Sequence, residues 1–167
     1  MHKEASVPQV MAVCISGGGI PKMPRPLVGV SFAGFTGDGH DHAKHNTPMQ
    51  AVCLQDIEVL EDLAKEGFCL RPGTTGENLT VCHLQVNHLE AGTILRFSGG
   101  VVLELTKERK PCYVLDAIDP RLKEVIAGRC GFYAKVLREG FIQAGEIIEV
   151  NKFAPVTLCN RDYSYLQ

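Results

Sequence analysis

The sequence contains no tryptophan, and only 7% of its residues are aromatic. Long apolar runs are also missing, since none approaches the roughly 20 residues that a membrane-spanning helix requires. The first residues, Met1 to Ala5, do not form the apolar block of a secretory signal peptide. We therefore predict a cytoplasmic protein that has no membrane partner.

An excess of charge of either sign is absent as well. The chain has 17 Lys and Arg residues against 19 Asp and Glu residues, and its formal net charge is -2. Proteins that bind nucleic acid usually carry a clustered excess of basic residues, and no long basic run occurs here. These features exclude nucleic acid as the principal partner.

Closely spaced cysteine pairs are the third absence. The sequence has seven cysteines, and no two of them form a C-x-x-C pair. An odd number of cysteines without metal-like spacing is typical of reduced thiols in a reducing compartment, and it argues against a disulfide scaffold. The cysteines therefore agree with the predicted cytoplasmic location.

The apolar residues that are present predict a folded core. Hydrophobic residues occupy 45% of the 167 positions, and this length fits one domain of roughly 100–200 residues. Short runs rich in β-branched residues alternate with glycine-rich turns, and Ser98-Gly99-Gly100 is typical of a hairpin. We predict one domain over 1–167 with a core at about 10–150. Its fold class is mainly β, a β-barrel with a few short helices.

Residues 55–66 form the clearest predicted helix. Ile57, Leu60 and Leu63 recur at helical spacing, Asp56 stands where an N-cap belongs, and Gly67 stands where a C-cap belongs. The residues before this helix, 51–54, are apolar and predicted to be extended.

Four segments carry more polar and reactive residues than simple turns require. In sequence letters they are G-D-G-H-D-H-A-K-H at 37–45, G-T-T-G-E-N-L at 73–79, K-E-R-K-P-C at 107–112 and G-R-C-G at 128–131. Their order and spacing resemble those of the MOSC domain, the module named after the C-terminal part of molybdenum-cofactor sulfurases. The resemblance runs from about Val10 to Val150 and rests on G-D-x-H, T-G-E-N-L-T, R-x-P-C and G-R-C-G-F-Y. It implies a MOSC-type β-barrel that holds a pterin-based molybdenum cofactor beside one reactive cysteine.

Cys112 is the last residue of R-x-P-C, so the resemblance identifies it as the reactive cysteine beside the cofactor. In related reductases the cysteine is a thiolate ligand of molybdenum, and in sulfurase-type members it carries sulfur. Lys107, Arg109 and Lys110 flank it with positive charge, which stabilises a thiolate, and a soft thiolate suits molybdenum. Cys130 in G-R-C-G is the second candidate thiol. The alternative for either cysteine is a small buried hydrophobic residue.

The pterin cofactor ends in a phosphate or a nucleotide diphosphate, so its site needs positive charge. Backbone N–H groups in the loop at Gly17–Gly19 could approach an anion, and arginine can contact phosphate with two donors at once. The alternative for each basic residue is ordinary surface charge. The basic residues that we predict to bind the cofactor are Lys22, Arg25, Arg71, Arg109 and Arg129.

Two further groups of polar residues belong to the predicted site. The Asn78 amide offers a donor and an acceptor to the pterin ring, and Glu77 stands beside it; alternatively both belong to a turn. The resemblance suggests that His40 and His45 line the pocket mouth. His40, His42 and His45 could also bind a zinc-like ion, or be solvated loop residues, because alternating residues of an extended loop point in different directions.

These residues lead to two classes of function. The first is a molybdenum-cofactor-associated protein with Cys112 as catalytic residue and metal ligand, or as sulfur carrier. In that class the protein either reduces N-hydroxylated compounds with electrons from a partner reductase or delivers sulfur or cofactor to a molybdoenzyme or a cofactor-biosynthesis protein. The second class is a non-catalytic β-barrel that binds an anionic metabolite, because a fold alone does not fix a function.

Overall fold

The computed structural model describes residues 5–39 and 47–152. Within these ranges the chain forms eleven strands and two α-helices. The strands are β1 Gln9–Ile15, β2 Met23–Pro24, β3 Val28–Ser31, β4 Gly34–Phe35, β5 Val52–Asp56, β6 Leu79–Cys82, β7 Ile94–Phe97, β8 Val102–Glu108, β9 Phe132–Arg138, β10 Gly140–Ile142 and β11 Ile148–Asn151. The helices are α1 Ile57–Lys65 and α2 Leu122–Val125, and short 3-10 segments lie at Pro48–Gln50, Val86–His88 and Tyr113–Ala117.

The strands form one large and one small sheet. The large sheet has the order β11-β7-β8-β9-β5-β6-β1-β2, and the small sheet has the order β10-β3-β4. All pairs are antiparallel except β5 and β6, which run parallel. The parallel pair follows from α1, because a helix after β5 reverses the chain before β6 begins. The predicted mainly β class is therefore confirmed.

The predicted closed barrel is not confirmed, because the described strands of the large sheet do not join into a ring. β1 meets the chain before β11 only at an isolated bridge between Gln9 and Ile147. Three backbone hydrogen bonds support this bridge, from Val10 N to Glu146 O, from Gly145 N to Val10 O and from Ile148 N to Pro8 O. β1 pairs with β6 over residues 9–13 and with β2 at Cys14 and Ile15, and in the described residues the bridge to Ile147 does not extend into a ladder. We call this junction the seam.

The helix prediction over 55–66 agrees with α1 to within two residues. Leu60 and Leu63 are buried, and Gly67 has a positive φ of 100° directly after the helix. Asp56 occupies the N-cap position, but its carboxylate makes no capping hydrogen bond. Neither helix in the described ranges is long and apolar enough to cross a membrane.

Two clusters of buried side chains fill the interior. The larger cluster lies among the strands and includes Leu54, Leu79 and Leu103. The smaller one joins α1 to α2 through Leu60, Leu63, Leu122 and Ile126, and it also contains Cys130. All five residues of β5 are buried, as expected for a strand between two neighbours in the middle of a sheet.

Candidate functional site

The T-G-E-N segment, residues 75–78, leads into β6, and its side chains Thr75, Glu77 and Asn78 are buried. The Glu77 side chain accepts hydrogen bonds at Oε1 from Gly73 N at 2.8 Å and from Thr80 Oγ1 at 3.0 Å. Its Oε2 accepts a third bond from Thr75 Oγ1 at 2.6 Å. The Glu77 carboxylate therefore links Gly73 and Thr75 of the loop to Thr80 of β6.

The Asn78 amide joins three parts of the chain. Its Oδ1 accepts a hydrogen bond from Cys53 N at 3.0 Å, which ties the segment to β5. Its Nδ2 donates to Asp38 Oδ2 at 2.8 Å and to Cys14 O at 3.3 Å. Because the amide oxygen and the amide nitrogen already have hydrogen-bond partners within the chain, Asn78 acts here as a positioning residue within the fold.

Lys22 forms an ion pair with Asp38 that is largely shielded from water. Lys22 Nζ lies 2.6 Å from each Asp38 carboxylate oxygen. The exposed fractions of the two side chains are 11% and 1%. Asp38 also accepts a bond from Ser16 N at 3.0 Å. The structure thus brings Lys22 and Asn78 together through Asp38, and we call these three residues the Lys22 network.

Arg109 is the buried cation of the site, with 6% of the residue exposed. Its Nη2 donates to Thr75 O at 2.6 Å, and its Nη1 has no hydrogen-bond partner. Thr75 therefore connects two buried charges, since its carbonyl holds Arg109 and its hydroxyl holds Glu77. Burial lowers the pKa of the Arg109 guanidinium, but the negative charge that Cys53, Cys130, Tyr133 and Glu77 carry when ionised outweighs burial and raises that pKa overall.

The buried thiols around Arg109 are protonated at neutral pH. Burial raises the pKa of Cys53 to about 11, although the Arg109 charge opposes this shift. Burial also raises the pKa of Cys130, again against Arg109. Cys130 belongs to the core cluster between the helices, which agrees with the alternative interpretation of a small buried hydrophobic residue.

Cys112 differs from these thiols because it is partly exposed. It directly precedes the 3-10 segment Tyr113–Ala117, and its carbonyl accepts a bond from Leu115 N at 3.1 Å. The Cys112 and Cys130 thiols both lie near enough to the Tyr133 hydroxyl to contribute to its raised pKa, after burial and Cys53.

The three basic residues predicted to flank the Cys112 thiol contact other groups. Lys110 Nζ lies 3.0 Å from Glu108 Oε2, and Lys107 Nζ lies 5.8 Å from the centre of the Tyr133 ring. Arg109 points into the interior, where its Nη2 donates to Thr75 O. All three positive charges are thus shared with other groups.

The remaining predicted residues do not join this group. Arg25 and Arg71 are exposed, and the Arg25 guanidinium donates to the carbonyl of Pro24 at 3.2 Å. Arg129 binds Glu66 at 2.9 Å and the carbonyl of Val125, so it connects the ends of the two helices. His40, His42 and His45 lie outside the described residues.

The positioning roles of Asp38 and Thr75 were not predicted from the sequence. Asp38 belongs to the G-D-x-H motif and Thr75 to T-G-E-N-L-T, and both motifs supported only the resemblance to the MOSC domain. Among the residues of 5–39 and 47–152, no group of three or more His, Cys, Asp and Glu side chains could hold a metal ion alone.

The chain is similar to known proteins in sequence and in structure. Residues 41–149 match the MOSC domain. The YflK protein of Bacillus subtilis is 34% identical over 142 residues, which are 79% of this chain and 62% of that protein. A protein named reductase from Gibberella moniliformis is 30% identical over 128 residues, 72% of this chain and 23% of that protein. The chain thus spans less than two thirds of both relatives.

Two solved structures share the fold. The YuaD protein of Bacillus subtilis superposes with a TM-score of 0.76 at 20% identity, covering 89% of this chain and 98% of that one. YiiM from Geobacillus stearothermophilus gives a TM-score of 0.72 at 23% identity, covering 87% and 75%. These similarities establish the common architecture.

Proposed function

Because the chain belongs to the MOSC domain family, we propose that it binds a pterin molybdenum cofactor, with Cys112 as thiolate ligand of molybdenum or as carrier of sulfur. The observation that carries this proposal is the unpartnered Nη1 of the buried Arg109, three residues before Cys112. A buried polar group without a partner costs about 1–3 kcal/mol, and more when it is charged. An anionic oxygen would relieve that cost.

The donor chemistry of the site fits an anionic cofactor. In the described part of the chain, the buried side-chain atoms without a hydrogen-bond partner are Gln50 Oε1, Glu58 Oε2 and Arg109 Nη1. Of these, Arg109 Nη1 alone is a donor on a cation. The pterin phosphate would supply oxygens of the matching charge, and Arg109 binds phosphate oxygens well because its donors are planar.

Each residue of the site has a separate task in this proposal. Thr75 holds the Arg109 guanidinium at one end and leaves Nη1 for the ligand. Asp38 holds Lys22 in place as its ion-pair partner. Cys112, which is partly exposed, presents the soft sulfur. When bound, the cofactor would supply oxygen-atom and electron transfer or accept sulfur.

The first experiment measures ligand content. The protein is purified from cells grown with molybdate, and its molybdenum is measured by mass spectrometry and its pterin by fluorescence after oxidation. We expect equal amounts of both in the wild type, unchanged amounts in Cys69→Ser and at least tenfold less molybdenum in Cys112→Ser. Cys69 is the matched control because it is an exposed cysteine. Equal molybdenum in all three proteins would contradict the role of Cys112.

The second experiment tests Arg109 and separates the two function classes. Arg109→Met should lose bound pterin, whereas Arg96→Met, an exposed arginine on β7, should keep it. A wild-type protein that retains another anionic metabolite, and takes up neither pterin nor molybdenum when both are supplied, would instead be a non-catalytic binding module. The Arg109 observation alone fits either anion.

The third experiment distinguishes a reductase from a sulfur carrier. With reduced methyl viologen as electron donor, a reductase converts an N-hydroxylated amidine and two protons and two electrons into the amidine and water. A sulfur carrier instead gains one sulfur atom on the Cys112 peptide after incubation with a cysteine desulfurase and cysteine. Since the Gibberella moniliformis relative is named a reductase, we expect the first activity.

A further inference from the structure

A cleft that the proposed function does not use lies beside the start of α1. It encloses about 220 Å³ between the first turn of α1, the loop at 83–88 and the end of the α2 region. Its walls come from segments far apart in the sequence. The residues that line it include Glu58, Val59, His83, His88 and Arg129.

Buried hydrogen bonds fix the walls of this α1 cleft. The Asp56 carboxylate, 3% exposed as a residue, accepts bonds from Gln85 N and Val86 N, both at 2.7 Å. Asn87 accepts a bond from Gly131 N at 2.9 Å and donates to Gly131 O at 3.2 Å. Gln55 Nε2 donates to Arg129 O at 2.9 Å. The cleft is therefore already formed, as binding sites for small ligands usually are.

The polar groups of the cleft differ in whether they have a partner. Arg129 is neutralised by Glu66 at 2.9 Å, and Asp56 is fully engaged by backbone N–H groups. Glu58 Oε1 accepts a hydrogen bond from His83 N at 2.8 Å and also lies 3.2 Å from His83 Nδ1, whereas its Oε2 has no hydrogen-bond partner. The Glu58 side chain is 42% exposed and lines the cleft. Because the His83 imidazole is a cation only when it is protonated, the carboxylates of Asp56 and Glu58 leave the cleft with net negative charge while that imidazole is neutral.

The same features define the class of ligand. A carboxylate oxygen without a partner accepts hydrogen bonds and attracts a cation. Val59 and Gly128 add an apolar wall next to it. The acids Asp56 and Glu58 also offset the partial positive charge of the helix start, which would otherwise favour an anion. We propose that the α1 cleft binds a small organic cation, a primary ammonium group on a short alkyl chain, and that Glu58 is its charged partner.

The test uses three probes of nearly equal shape and different charge. Butylammonium, butanol and butyrate are titrated separately into the full chain, and backbone amide shifts are followed by NMR. We expect saturable shifts at His83, Gln85 and Gly128 with butylammonium only. Methylammonium, which lacks the alkyl chain, should bind more weakly because it leaves Val59 uncovered.

Two variants on the same helix assign the charge. Glu58→Gln keeps an oxygen for His83 N and removes the negative charge, so it should raise the butylammonium dissociation constant about tenfold. Glu61→Gln removes the same charge from an exposed position on α1 and should leave the constant unchanged. Shifts that never saturate, equal binding of butanol or butyrate, or equal weakening by both variants would each overturn the proposal. None of these outcomes depends on molybdenum or pterin binding.

Discussion

At the scale of single residues, the buried polar groups of this protein mostly hold one another in place. Asp38 is the clearest case, because its carboxylate contacts Lys22, Asn78 and the backbone of Ser16. Asp38→Asn leaves a shielded ammonium without its counter-charge, so the free energy of unfolding should fall by about 3 kcal/mol. Urea denaturation measures this loss.

Two further variants serve as controls for the Asp38→Asn prediction. The variant Asp62→Asn breaks an exposed pair with Lys65 and should cost less than about 0.5 kcal/mol. The double variant Lys22→Met with Asp38→Asn should recover part of the loss, because no unpaired charge remains. A single Asp38→Asn variant as stable as Asp62→Asn would show that the Lys22 network does not stabilise the fold.

The buried thiols predict a loss of stability in alkali. Burial raises the pKa of Cys53 to about 11 from the usual 9.0. Below pH 9 the thiol is protonated in both states, and between pH 9 and 11 the unfolded chain loses this proton first. The free energy of unfolding should therefore fall through that window, by on the order of 2 kcal/mol for Cys53 alone.

Denaturation at pH 8 and pH 10.5 under reducing conditions measures this fall. Cys53→Ser should reduce the pH dependence and shift stability by a constant amount, whereas Cys69→Ser, at an exposed position, should leave the dependence intact. Some dependence should persist in Cys53→Ser, since burial also raises the pKa of Cys14 and Tyr133 to about 12. An unchanged dependence in Cys53→Ser would contradict the assignment.

At the scale of elements, the backbone conformation of the turns determines the direction of the polar side chains. Gly76 has a φ of +94°, and a Cβ there would lie 3.0 Å from Ile20 Cγ2 and 3.5 Å from Arg109 Nη2. Gly67, after α1, has a similar φ of +100° but nothing within 4 Å. Both alanine variants should lose about 1–2 kcal/mol from the left-handed backbone.

In Gly76→Ala the free energy of unfolding should fall by more than this backbone cost, because Ile20 must also move. Gly76→Ala should also weaken anion binding at Arg109, whereas Gly67→Ala should not. The comparison is made by urea denaturation and by retained pterin or anion. Equal losses in the two variants would mean that the space around Gly76 is not restrictive.

The elements also show how far sequence reasoning reaches. The spacing of Leu60 and Leu63 predicted α1, because helix periodicity is a local property of the chain. The partners of the polar residues were not predictable, since Asn78 meets Asp38 across 40 positions and Arg109 meets Thr75 across 34. Asp56 illustrates this limit, because its N-cap position was found while its carboxylate binds the loop at 85–86.

At the scale of the whole molecule, the seam is the junction of the described large sheet with the fewest paired residues, one pair against two between β1 and β2. Sequence patterns predicted the mainly β class, but closure depends on the register of distant strands, which no local pattern encodes. Amides of the seam, at Val10, Gly145 and Ile148, should exchange with solvent at least tenfold faster than those of β5, which has neighbours on both sides. Equal protection, measured by hydrogen exchange and NMR, would indicate a sheet that behaves as a closed barrel.

The T-G-E-N segment has a consequence for changes in chain length. Thr75, Glu77 and Asn78 stand within four consecutive positions, yet they serve Arg109, the loop itself and the Lys22 network. Inserting or deleting one residue would displace all three side chains at once, and each would lose its hydrogen-bond partners. Most loops absorb such changes. This one should be as intolerant of them as a buried strand, so natural variation in its length would be confined to the chain before Gly73.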